Sequence, residues 1–69
     1  MEKKQFQINV QTALVLKGIT LTELAKHIGI SVSYLSDIVR GNREGKKHKA
    51  KIAELLGFYY ENDKEEINL

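Results

Sequence analysis

Five glycines, at positions 18, 29, 41, 45 and 57, punctuate the chain, the longer intervals between them are of helical length, and no proline interrupts any of them. In the first stretch Phe6, Val10, Ala13, Leu14 and Lys17 recur at i, i+4, i+7, i+8 and i+11, the period of one helix face. Gly18 follows the last of these, where a helix is expected to stop. Thr20-Leu21-Thr22-Glu23 then sets a Thr three residues before a Glu, a capping box that starts a second helix after Thr20. Leu24, Ala25 and Ile28 share one side of it, and Gly29 ends it. Ser31 is a good N-cap for a third helix over Val32–Arg40, with Leu35, Ile38 and Val39 apolar and Gly41 as the stop. A last helix is predicted over about Lys47–Leu56, with Ile52, Ala53 and Leu56 inward, and a fifth short turn over Phe58–Asn62. No period-two run and no Asn-Gly or Asp-Gly pair signals a strand. The expected fold is all-α, a compact bundle of four to five helices.

At 69 residues there is room for one small core and little room for a deep substrate pocket, which argues against an enzyme. The chain has no cysteine, hence neither a disulfide nor a thiolate metal site, and its stability must come from capped helices or a partner. His27 and His48 lack ligand spacing, so neither a metal nor another cofactor is expected. Ser31, Ser33 and Ser36 have no His–Asp arrangement near them, and capping or surface contact explains them better. No apolar run approaches the roughly 18–20 residues of a membrane span. The expected location is cytoplasmic, with no membrane or small-molecule partner.

The net charge of +2 conceals a segregated distribution. Arg40–Lys51 carries six basic residues against Glu44 alone, a net of +5, whereas Glu61–Leu69 carries four acids against Lys64, a net of −3. The expected organisation is therefore a helical domain over residues 1–60 and an acidic tail over 61–69. A basic block is either a solvated helix face or an electrostatic footprint for a polyanion, and charge alone does not choose.

The informative unit surrounds Gly29. Two short helices separated only by Gly29-Ile30-Ser31 describe a helix-turn-helix over about residues 21–40. Ala25 is small where the two helices must approach, and Ile30 is apolar in the turn, where it can plug the gap between them. The run Gly18-Ile-Thr-Leu-Thr-Glu-Leu-Ala-Lys-His-Ile-Gly-Ile-Ser31 resembles the opening of the XRE family, the Cro and lambda-repressor type of helix-turn-helix. Tyr34–Arg43 is similar to that family's recognition helix and following loop, and Lys51–Gly57 to its fourth helix. The resemblance covers about Phe6–Phe58, and such short chains resemble phage lysis–lysogeny regulators, either Cro-like repressors or modulators of repression.

The resemblance implies a transcriptional regulator that reads operator DNA with the first, second and sixth residues of the recognition helix, here Val32, Ser33 and Asp37. Ser33 can bond a base edge or phosphate, and Val32 can contact a thymine methyl. Asp37 can accept from cytosine or pair with Arg40 or Arg43 and brace the loop. Tyr34 is placed either to meet a phosphate or to pack at the helix edge. Asn42, Arg43, Lys46, Lys47 and Lys49 lie where the family's loop and next helix follow the phosphate backbone. Lys3 and Lys4 are candidates for a small basic arm, and His48 for part of the basic surface. Two departures point elsewhere: Leu21 and Val32 stand where the family often carries Gln, and Val39 where Glu is common. Together with Ile8 and Val15, off the main stripe of the first helix, Leu21 and Val32 suit a protein partner, such as a repressor gripped by an antirepressor. Phe58, Tyr59 and Tyr60 are available either to a homodimer contact or to cover the open end of the bundle.

Overall fold

The computed structural model describes residues 3–60. Four helices follow one another: α1 over Lys3–Lys17, α2 over Leu21–Ile28, α3 over Val32–Arg40 and α4 over Lys46–Leu56. No strand occurs among the described residues, and no described helix is long and apolar enough to cross a membrane. The expected fifth turn does not form over Phe58–Tyr60, which run without helical bonding, and Glu61 and Asn62 lie outside the described residues, as does the rest of the acidic tail. Lys3 and Lys4 form the first turn of α1, so they are not an extended arm.

Local chemistry explains where the helices start. Thr20 accepts a hydrogen bond from the Glu23 amide at 3.1 Å, and its own amide donates to Glu23 Oε1 at 2.8 Å, completing the capping box. Ser31 Oγ accepts from the Tyr34 amide at 3.0 Å and opens α3. Each such cap contributes about 0.5–2 kcal/mol. At α4 the N-cap is Gly45, which supplies no side-chain bond, and the helix begins at Lys46, one residue before the expected start.

All four helices end with the same bond. The amide one residue beyond the glycine donates to the carbonyl five residues back: Ile19 to Leu14, Ile30 to Ala25, Asn42 to Asp37 and Phe58 to Ala53, at 2.8–3.1 Å. At three of these ends the donor is apolar and packs on the core; at α3 it is Asn42, which is exposed.

Phe6, Val10, Leu24, Ala25, Leu35, Ile38, Val39, Ile52, Ala53 and Leu56 are buried, and no polar side chain is buried with them among the described residues. Helix α3 packs against the other three helices, so its inner face holds the centre of the molecule while its other face looks outward. Phe58 and Tyr60 close one end of the core, meeting the Phe6 ring edge-to-face at 5.8 and 5.6 Å, while Tyr59 stays exposed. Covering the open end is thus the role of two of these three aromatics.

Candidate nucleic-acid interface

The glycine in the α2–α3 turn fixes how α3 is presented. Gly29 has φ 92°, a left-handed conformation that a side-chain-bearing residue adopts only at a cost. Ile30 then turns back onto the core, and α3 starts two residues later. Helical spacing gives α3 an outer face opposite Leu35, Ile38 and Val39. Ser33, Asp37 and Arg40 lie on it, with Val32 and Ser36 on the flank towards α2. A shallow open groove runs along that flank, lined by Leu21, Val32, Ser33, Ser36, Asp37 and Arg40. Val32 is 42% exposed there and Leu21 half-buried, so the two form the apolar end of an otherwise polar groove.

Ile8 and Val15 do not join them. They are 50% and 80% exposed on the side of α1 turned away from the core, whereas α1 borders the α3 face through Gln7, Gln11 and Leu14. The four-residue apolar patch expected from the sequence is therefore split between two sides of the molecule.

The other flank of α3 carries Tyr34, half-buried and packed against the core. Its ring meets His48 of α4 at a right angle, 5.4 Å between centroids, and the Arg43 guanidinium lies 5.0 Å from the ring centroid. Arg43 Nε also approaches Asp37 Oδ2 at 3.7 Å, and the Arg43 amide donates to the Asp37 carbonyl at 3.3 Å. An exposed cation–π contact contributes about 0.5–1 kcal/mol, and an exposed ion pair about 0–1 kcal/mol. These small terms fix one side chain rather than stabilise the domain. Asp37 thus braces the loop through Arg43, and His48, read from sequence as basic surface, is instead a half-buried partner of Tyr34.

Gly45 ends the loop in a left-handed conformation, φ 48°, where a Cβ would lie 3.0 Å from Ile38 Cγ1. Loop backbone therefore rests directly on the core face of α3, a contact that has no local signal in the sequence. Beyond it, α4 opens with Lys46-Lys47-His48-Lys49, without a side-chain cap and without an acid in its first turn. The positive end of the helix dipole meets lysines there, an arrangement that attracts anions. The basic segment does not act as one patch, however. Lys49 turns inward, its Nζ 5.5 Å from the Phe6 ring centroid, beside the aromatic closure, while Lys47, Asn42 and Arg43 are exposed and Lys46 half-buried. No group of three or more His, Asp or Glu side chains placed to hold a metal occurs among the described residues.

Taken together, one side of the molecule offers the outer face of α3, the loop that carries Arg43 and the lysine-rich N-terminus of α4. A family model described as helix-turn-helix (HTH_3) matches residues 10–61, more than half of the chain. No curated protein and no solved structure matches it. With that match falling on the two capped helices and the three-residue turn between them, the chain belongs to the XRE-type helix-turn-helix family and is a DNA-binding transcription-regulatory domain.

Proposed function

We propose that α3 enters the major groove of an operator, with Val32 and Ser33 at base edges and Asn42, Arg43, Lys46 and Lys47 along the phosphates. The observation that carries this reading is the placement of the lysine-rich, uncapped start of α4 beside the outward-facing α3. Lysines at a helix N-terminus oppose the dipole, and phosphate neutralisation offsets that cost. Asp37, engaged by Arg43, serves as a brace and not as a base reader. The wider role we infer is repression of a promoter in a phage-type genetic switch by a homodimer, which rests on the sequence resemblance to short lysis–lysogeny regulators.

A salt titration of binding to a duplex selected by the chain from a random pool tests this reading. Three cationic phosphate contacts give a log–log slope of about −2.7 for one bound copy and about −5.4 for two. Absence of binding at about 0.05 M salt overturns the proposal, because phosphate contacts are strongest there.

One observation favours a second reading. Leu21 and Val32 form an apolar notch on the same groove, which also suits a partner repressor protein. Co-purification with a repressor encoded by a neighbouring gene, lost on Leu21→Glu with Val32→Glu, would replace the DNA reading by this one.

A further inference from the structure

We infer that Tyr34 is a positioning residue: with Asp37 it holds the Arg43 guanidinium ready for a phosphate, and it makes no DNA contact of its own. This rests on the DNA-binding reading above and adds a division of labour within it. Tyr34 and Asp37 stand three residues apart on α3, so both face the loop that follows. Arg43 comes back onto them at three points: its amide to the Asp37 carbonyl, its Nε to the Asp37 carboxylate and its guanidinium to the Tyr34 ring.

The ring is thereby occupied. Arg43 lies against it, His48 meets it at a right angle and the core lies behind it, which leaves no open ring face for a base. Arg43 is in a different position. The ion pair uses Nε, on the stem side of the guanidinium, so the donors at its far end remain for a phosphate. More than half of the side chain stays in solvent, at 58% exposure. An arginine ordered before binding loses less rotamer freedom when it binds, and a planar guanidinium on an aromatic face is ordered in a way that a lysine would not be.

The test uses the full chain and a labelled duplex of about two helical turns, selected by the wild-type chain from a random pool. Arg43→Gln should lower the magnitude of the salt slope by about 0.9 for each bound copy. Tyr34→Leu, which keeps apolar volume against the core, should weaken binding about two- to five-fold, and should have no further effect in the Arg43→Gln background. Tyr34→Phe keeps the ring and should bind like wild type. The proposal is overturned if Arg43→Gln leaves the slope unchanged, if Tyr34→Leu binds like wild type, if the two losses add in full, or if Tyr34→Phe binds as weakly as Tyr34→Leu, which would make the hydroxyl a direct contact. Where melting shows Tyr34→Leu unfolded at the assay temperature, Tyr34→Phe decides: retained binding supports the ring as a platform, and lost binding overturns it. A wild-type chain that selects no duplex overturns the DNA reading itself and this inference with it.

Discussion

Val32 stands at the start of a helix whose neighbour, α4, opens on a lysine-rich turn, yet it is apolar and 42% exposed. Packing does not account for that exposure, since Leu35, Ile38 and Val39 already fill the inner face of α3. In the proposed binding mode its methyls meet a thymine C5-methyl, a contact that can be removed from the DNA side without touching a charge. Replacing the contacted thymine by deoxyuridine should weaken binding about three-fold, with the salt slope unchanged and the difference absent in Val32→Ala. Equal affinity for both duplexes at every thymine of the site would take Val32 off the base-reading surface. Gly45 shows the opposite kind of residue, one whose importance lies wholly in packing. Its left-handed φ and the Ile38 side chain 3.0 Å from a Cβ make Gly45→Ala costly, by about 1–3 kcal/mol. Gly57→Ala meets nothing within 4 Å and should cost about 1 kcal/mol, from φ alone. Urea unfolding of the two variants isolates the Ile38 contact as their difference, and equal losses would dismiss it. Val32 could be placed by helical period alone. Gly45 could not, because its requirement comes from a side chain seven residues earlier that reaches it only once the loop has folded back.

Helix ends account for what was legible at the level of the elements. The starts of α2 and α3 were readable because their caps, Thr20 with Glu23 and Ser31, act within three residues of chain. The start of α4 falls one residue before the expected one, since Gly45 caps it without a side chain. The four ends share one hydrogen bond, but only α3 follows its glycine with a polar residue, Asn42. An apolar residue after the glycine ties the chain back to the core, as Ile19, Ile30 and Phe58 do. At α3 that tie is replaced by the Tyr34–Arg43–Asp37 contacts, which hold the loop at the surface. The N-terminus of α4 then sacrifices stability for charge. Lys47, exposed in the first turn, opposes the helix dipole, so Lys47→Glu should raise stability by about 0.5–1 kcal/mol. The same substitution should weaken DNA binding about ten-fold or more at low salt. Thermal melting and anisotropy on one preparation measure both. A variant that is less stable, or that binds DNA unchanged, would show that Lys47 is held there for another reason.

Across the whole molecule the segregation of charge ran ahead of what sequence could assign. Helix periodicity located the core correctly because a bundle this small has one inside, and any face with the right period must point to it. Periodicity carried no information on which basic residues face outward together. Lys49 lies against Phe6, so the cationic surface beside α3 is narrower than the +5 segment from which it comes. A narrow cationic surface is sensitive to the rest of the charge on the chain. Residues 61–69 carry a net −3, and without them a chain of +2 becomes one of +5. Tyr60, the residue before them in sequence, packs on the Phe6 ring that Lys49 also meets. Charges on one chain act on one another at low salt and are screened beyond a Debye length of about 8 Å near 0.15 M. Ending the chain at Tyr60 should therefore tighten DNA binding several-fold at about 0.05 M salt, and the gain should shrink steadily towards 0.2 M. A salt titration of both lengths on one duplex measures it. Parallel curves separated by a constant factor would mean that the tail touches the DNA-binding surface directly, and coincident curves that the acidic run has no bearing on DNA affinity.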